Sequence, residues 1–192
     1  VWLPTVVIER QLTALVQGKD IPYRHTWVAA DNIALAMKKA VQASEDQRFS
    51  EHLGLDFQVI EQALTDNTRR KRQRGGSTIT QQTAKNVFLW PSRSYIRKGF
   101  EAYFTVLIEI FWSKERILEV YLNVIEMGDG VYGIQAASQT FFDKDASKLS
   151  KGQAALIAAV LPNPRRWSPA RPTSYIKGRQ SWIMRQMSNL SP

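Results

Sequence analysis

Two short segments hold the residues best suited to chemistry. Residues 45–56 read Glu45-Asp46-Gln47-Arg48-Phe49-Ser50-Glu51-His52-Leu53-Gly54-Leu55-Asp56, which gathers carboxylates beside an arginine and a histidine. Residues 75–82 read Gly75-Gly76-Ser77-Thr78-Ile79-Thr80-Gln81-Gln82, a glycine-led turn running into a helix start. Glycines let backbone approach a ligand closely, and a helix N-terminus turns N–H groups toward an anion. An acid/base carboxylate beside an anion cradle suits transfer of a group away from a phosphate-bearing leaving group.

A glutamate at a helix end is ordinarily a solvated charge. Beside Glu45, however, Asp46 disfavours ionisation of both carboxylates while Arg48 favours it, an adjustable setting of the kind a general base needs. His52 reads as a structural hydrogen-bonding residue. Lys85 lies four residues after Gln81 and three after Gln82, so it shares their helix face and adds positive charge. Spacing alone leaves an ordinary loop-to-helix junction equally open, and the Gly-Lys-Ser/Thr ending of a nucleotide P-loop is missing. Glu101 stands one helical turn after Arg97 and just before an apolar run, 102–108. A carboxylate on so buried a helix needs a partner or a task. Glu119 reads as structural, bridging Arg116 or Asn123. The basic run Arg69-Arg70-Lys71-Arg72-Gln73-Arg74 reads as a solvated loop.

The elements that must position these groups are helical. Ile33, Met37, Ala40 and Val41 recur at helical spacing over 31–43, with Asp31 as N-cap and Glu45 left at the C-terminal edge or in the following loop. Asp56 is placed to cap a helix carrying Phe57, Ile60 and Leu64. Thr78-Ile79-Thr80-Gln81 fits a capping box and starts a helix toward Phe88. A long segment from Tyr95 to Trp112 follows. Leu118, Tyr121, Leu122 and Ile125 share one face of a helix around 114–125. Gly128-Asp129-Gly130 is a turn. Residues 132–142 and 150–161 read as helical, the latter stopped by Pro162-Asn163-Pro164. Residues 175–190, with Ile176, Ile183 and Met187, read as one more helix. Strand signals are weak, so the expectation is a mostly α-helical single domain over residues 1–192.

Composition narrows the function classes. With 192 residues, 44% of them hydrophobic, the chain can bury one core. The absence of cysteine removes disulfides and thiol catalysis. Two histidines without cysteine argue against zinc and leave carboxylate-held Mg²⁺ or Mn²⁺ open. A net charge of +9 calls for a negatively charged partner: nucleic acid, anionic lipid headgroups or a phosphorylated substrate. No stretch approaches the ~20 apolar residues of a membrane-spanning helix. The chain begins Val1-Trp2-Leu3-Pro4 without an initiator Met or signal-peptide pattern, which predicts that an N-terminal segment has been removed.

Taken in order, these segments closely resemble the peptidoglycan glycosyltransferase family, the transglycosylases of bacterial cell-wall synthesis. The match runs through Glu45–Phe49 with His52, then Gly75–Gln82 to Lys85 and Asn86. It continues with Arg97, Lys98 and Glu101, then Lys114–Asn123 and Ala154–Pro164. Ser174-Tyr175-Ile176-Lys177 also matches the Ser-x-x-Lys of penicillin-binding sites, but no Lys-Thr-Gly accompanies it and it reads as chance.

The resemblance implies a lysozyme-like helical lobe with a smaller membrane-proximal lobe, of the monofunctional biosynthetic type. It implies polymerisation of lipid II into β-1,4-linked glycan, with inversion at the donor sugar C1 and release of undecaprenyl pyrophosphate. Glu45 is then the general base on the acceptor's 4-hydroxyl. Glu101 is the second essential carboxylate, assisting the pyrophosphate directly or through Mg²⁺ or Mn²⁺. Gln82 and Asn86 line the donor site, and Asp46 stands beside the base. Lys85, Arg48 and the Thr78 helix start would neutralise the leaving group, which needs charge compensation more than a strong acid. Implied partners are lipid II, the growing strand, a membrane surface and cell-wall synthesis or division proteins, with no nucleic acid. The implied location is the periplasmic face of the inner membrane, with a single-pass anchor before Val1. Trp2, Leu3 and Trp27 are candidates to meet that interface, with Trp27 as a core residue the alternative.

Two rivals remain. A lysozyme-like lytic glycosidase would share the helical fold and the glutamate, but it would use water and need no pyrophosphate-binding groups. A basic helical module for nucleic acid or membrane would explain the charge and the 69–74 run, yet leaves the ordered carboxylate motifs unexplained.

Overall fold

The structure, a computed structural model, describes residues 5–16, 18, 22–56, 77–90 and 94–190. Its helices are α1 (Thr5–Val16), α2 (Leu35–Glu45), α3 (Ile79–Phe88), α4 (Tyr95–Phe111), α5 (Lys114–Val124), α6 (Ile134–Phe142), α7 (Lys151–Val160) and α8 (Ser174–Gln186). Short strands β1 (Arg24–His25), β2 (Glu126–Gly128) and β3 (Val131–Tyr132) form one sheet in the order β1-β3-β2. This is the mostly helical class that the sequence pattern predicts, consistent with the lysozyme-like fold that the resemblance implies. The helix of Phe57, Ile60 and Leu64, the 69–74 run, the Gly75-Gly76 pair, and Trp2 and Leu3 lie outside the described residues.

Side-chain caps set most helix starts. Thr78, Ser94, Ser113, Ser150 and Thr173 each accept the N–H three residues on, and Thr78–Gln81 and Ser150–Gln153 are full capping boxes. The start of α2 differs from expectation. Asp31 falls in a 3-10 turn over Ala30–Asn32, and the helix begins after Ala34, which gives no side-chain cap. The other end of α2 falls at Glu45, as the periodicity predicts.

The sheet is the larger departure from the sequence reading. Tyr132, expected to open a helix, instead joins Val131 in a strand that pairs parallel with Arg24 and His25 and antiparallel with β2. The expected turn at Gly128–Gly130 links β2 to β3. Gly130 adopts φ +71°, and a Cβ there would lie 1.8 Å from the Pro22 carbonyl oxygen, so only glycine fits.

Tyr121, Leu122 and Ile117 of α5 are fully buried with Met37 of α2, Ile134 of α6, Ile157 of α7 and Ile183 of α8. Each such aliphatic side chain contributes about 1.5–3 kcal/mol by leaving water. The α7 alanines 154, 155, 158 and 159 are buried, so α2 and α8 both pack closely on that helix. Asn123 is also fully buried. Its amide accepts from Val28 N–H and donates to the Val28 and Glu119 carbonyls, all at 2.8 Å, tying the segment after β1 to α5. Glu119 pairs with Arg116 at 2.8 Å, the structural bridge expected of it.

Helix α4 has two faces. Glu101, Thr105 and Ile108 are buried, whereas Ile96, Phe100, Tyr103 and Ile110 stand exposed. Trp27 is exposed rather than core, with the Arg116 guanidinium 5.6 Å from its ring centre. Among the described residues, no helix is long and apolar enough to cross a membrane.

Candidate active site

Glu45 closes α2 with each carboxylate oxygen engaged. Oε1 accepts from Ser44 Oγ at 3.0 Å, and Oε2 accepts from Gln82 Nε2 at 3.2 Å. An ionised carboxylate only accepts, so the Gln82 NH₂ must face it, leaving the amide oxygen for Tyr121 OH at 3.4 Å. Burial, then the charges of Glu45 and Asp46, push the Tyr121 phenol well above its ordinary pKa and keep it a neutral donor. On the other side, Arg179 of α8 donates to Ser44 Oγ at 3.3 Å and to the Ala159 carbonyl at 3.2 Å. Sequence reasoning placed Tyr121 in the core and passed over Ser44 and Arg179. A tyrosine on a buried face, whose hydroxyl needs a partner, was the one available signal.

Asp46 turns inward. Its carboxylate accepts from His52 Nε2 at 2.9 Å and from Ile79 N–H at 3.1 Å. Gly54 N–H donates to His52 Nδ1 at 3.1 Å, which leaves the imidazole proton on Nε2, facing Asp46. Burial raises the Asp46 pKa, against the lowering pull of His52, the Ile79 N–H and Lys114. Lys114 donates to the His52 carbonyl at 2.6 Å and to Glu109 at 2.8 Å, and Thr80 donates to Glu109 at 2.6 Å. Loop 46–54 is thereby fastened to α3 and to the α4–α5 junction. His52 has the structural role expected of it.

At the helix start expected to cradle an anion, the N–H groups of Thr78, Ile79 and Gln81 are taken by the protein itself. Ile79 N–H is taken by Asp46 and Gln81 N–H by the Thr78 hydroxyl. Thr78 is buried, and its hydroxyl donates to the Gly54 carbonyl at 2.5 Å. Thr78 and Asp46 thereby fasten the start of α3 to loop 46–54. A carboxylate distant in sequence has capped the helix that the glycine pattern suggested was open. Arg48 is engaged by carboxylates of its own loop. It pairs with Glu51 at 2.9 Å and Asp56 at 3.3 Å, and lines a cavity of about 650 Å³ with Leu53, Leu55, Val106 and Ile110.

The remaining expected residues do converge. Gln82, Lys85 and Asn86 follow one face of α3 into a cleft of about 320 Å³ completed by Arg97, Trp90 and Arg165. Asn86 Nδ2 donates to the Gln82 carbonyl at 2.8 Å. Lys85 is reached by solvent, yet the surrounding protein mass lowers its pKa by desolvation. Arg97 and Lys98 add to that lowering, while Glu101 and Glu45 pull the value up. Glu101 accepts from Arg97 at 3.0 Å and also from Lys98. The Arg97 Nε is buried and has no hydrogen-bond partner among the described residues. With both Glu101 oxygens held by cations, and no cluster of three His, Cys, Asp or Glu among the described residues, the donor set does not fit a resident divalent ion.

The arrangement places a carboxylate, positioned on both oxygens, next to a cleft lined by cations. A family model described as Transglycosylase matches residues 12–188. The whole chain is 56% identical, over 192 residues, to a biosynthetic peptidoglycan transglycosylase of Bacteroides thetaiotaomicron, spanning 77% of that protein. It is 52% identical to one of Pseudomonas putida over 98% of this chain and 82% of the relative. A third, of Escherichia coli O127:H6, is 54% identical over 96% of this chain and 77% of the relative.

Proposed function

Because the chain belongs to the transglycosylase family, we propose that Glu45 is the general base of its glycosyl transfer. The chain is a peptidoglycan glycosyltransferase, an enzyme of the cell envelope that polymerises glycan strands. In this reading Glu45 takes the proton from the 4-hydroxyl of the acceptor's N-acetylglucosamine. That oxygen bonds to C1 of the donor's lipid-linked N-acetylmuramic acid as the C1–phosphate bond breaks on the opposite face. The configuration inverts, a β-1,4 linkage forms, and undecaprenyl pyrophosphate departs with the bonding pair.

The observation that carries this reading is the continuity of α3. Gln82 hydrogen-bonds the base, and one turn on Lys85 and Asn86 face the cleft. Base and cation thus bracket one reacting centre. Positive charge placed where negative charge develops is the largest contribution side chains make to such a step. Glu101 holds Arg97 and Lys98 in place for the pyrophosphate, and the spare Arg97 Nε–H is a donor for it. A divalent ion, where one acts, arrives with the pyrophosphate rather than residing on Glu101.

The exposed apolar face of α4, beside Arg97 and Lys98, suits the periplasmic surface of the inner membrane, where a lipid-linked substrate would be met. A lytic glycosidase has no use for a cleft lined by Lys85, Arg97 and Arg165. The test is labelled lipid II in detergent, with products resolved by gel. Wild type should yield long strands and Glu45→Gln none, with unchanged circular dichroism. Near-normal polymer from the variant, or soluble sugars released from sacculi by wild type, would sink the proposal.

A further inference from the structure

A second cavity, also about 320 Å³, adjoins the catalytic cleft and is unused by the reaction just described. Its walls include Arg24 of β1, Asp129 of the β2–β3 turn, Thr140 of α6, and Arg165, Arg166 and Trp167 of the segment after α7. Arg165 lines both cavities, so the two are neighbours.

The balance of charge here is positive. Arg165 pairs with Glu126 at 2.9 Å, and Arg24 reaches the Thr140 hydroxyl at 3.4 Å. The Arg166 guanidinium makes no hydrogen bond or ion pair among the described residues. Its backbone is nonetheless fixed: the N–H groups of Arg166 and Trp167 both donate to the Asn163 carbonyl, at 3.1 and 3.0 Å. Trp167 is held against the Tyr175 ring, with centroids 5.5 Å apart. Pro22, another wall residue, is held by the close packing of its carbonyl on Gly130. The cavity therefore offers an uncommitted guanidinium on a fixed backbone and a flat indole face, the chemistry that recognises a carboxylate on an otherwise neutral, partly apolar chain.

We propose that this cavity is a subsite for a carboxylate of the peptide borne by the substrate's muramic sugar, with Arg166 as its principal contact. The inference rests on the glycosyltransferase reading above and names a specificity contact within it. The pyrophosphate belongs with Lys85 and Arg97 in the cleft. Of the groups on such a substrate, the peptide carboxylates are the anions left to match a separate arginine. A concave site of this volume takes a few residues of peptide and does not suit a flat lipid surface.

The test uses the full chain with two lipid II substrates, one with free peptide carboxylates and one with every carboxylate converted to an amide. Wild type should show a KM about tenfold lower for the free acid, the size of one charge-assisted hydrogen bond. Arg166→Glu should remove that preference by raising KM for the acid alone, with kcat unchanged, and Arg166→Lys should restore part of it. Arg171→Glu makes the same charge change on an exposed residue outside the cavity wall and should leave the preference intact. Thermal melts verify that each variant folds. Equal KM values for the two substrates in wild type, or an unchanged preference in Arg166→Glu, would overturn the subsite while leaving the polymerase reading standing. Failure of wild type to polymerise either substrate would instead overturn the reading on which it rests.

Discussion

Asparagine in place of Asp46 changes almost no volume yet should disturb both the fold and the site. The carboxylate accepts from His52 Nε2–H at 2.9 Å and from Ile79 N–H at 3.1 Å, and it is 8% exposed. An asparagine has one acceptor oxygen, so whichever way it turns, its NH₂ faces one of those donors. Turning the NH₂ toward His52 would invite the other tautomer, but the new Nδ1–H would then meet Gly54 N–H. One buried donor is stranded in either case, at a cost of about 1–3 kcal/mol, and charge assistance at the other is lost. Relief of the buried charge offsets part of this, leaving an expected loss of about 2 kcal/mol by urea denaturation.

The pH dependence of that loss has a definite sign. Burial raises the Asp46 pKa, so on acidification the folded protein takes up this proton before the unfolded chain does. The contribution is fully present below the ordinary aspartate pKa and is lost as pH rises through the raised value. The gap between wild type and Asp46→Asn should therefore widen toward acid. In polymerisation assays kcat should fall about tenfold with little change in KM, because the clamp sets how α2 and α3 bring Glu45 to Gln82; tenfold corresponds to about 1.4 kcal/mol. A variant within about 0.5 kcal/mol of wild type, the range of a neutral surface change, or a gap that closes on acidification, would refute this reasoning.

Further outcomes follow from the same geometry. Since desolvation lowers the Lys85 pKa, its ammonium is lost as pH rises through a value below the usual lysine range. The alkaline limb of kcat/KM should fall there and move to higher pH in Lys85→Arg; an unmoved limb assigns it to another group. Tyr121→Phe should cost about 1 kcal/mol of stability and lower kcat several-fold by freeing the Gln82 amide to rotate, and unaltered kcat would show the 3.4 Å contact to be idle. Arg179→Ala removes the donors to Ser44 and Ala159; it should cost about 1–2 kcal/mol and shift the acid limb of kcat, with Lys partly restoring both. An acid limb identical to wild type would confine Arg179 to packing.

Local features were legible in the sequence because local physics decides them. The Thr78–Gln81 capping box, the buried face of α5, the Arg97–Glu101 pair and the placing of Glu45 at the end of α2 all involve residues within one or two turns of each other. The misread features are settled across the chain. The carboxylate that caps Ile79 lies 33 residues earlier, and Tyr121 meets Gln82 across 39. Pairing of Arg24 with Val131 involves strands of two residues, too short to show alternation. Asp31 has the side chain of a cap, but the 3-10 turn it occupies ends before α2 begins.

The internal capping of α3 has a consequence for how long an anion stays. A ring of fixed N–H groups would grip pyrophosphate and have to be pulled open for release. Here the positive charge sits on side chains, two of which, Arg97 and Lys98, already have Glu101 as counter-ion. In the proposed reaction a departing diphosphate would leave these cations paired with the resident carboxylate, and the site would reset after each sugar is added. An enzyme that repeats one step along a polymer needs short product residence more than tight capture. An inhibitor that merely adds negative charge would share these cations with the same carboxylate and have the same brief stay. More durable occupancy would come from bridging Lys85 to the neighbouring arginine cavity, where Arg166 has no carboxylate partner among the described residues.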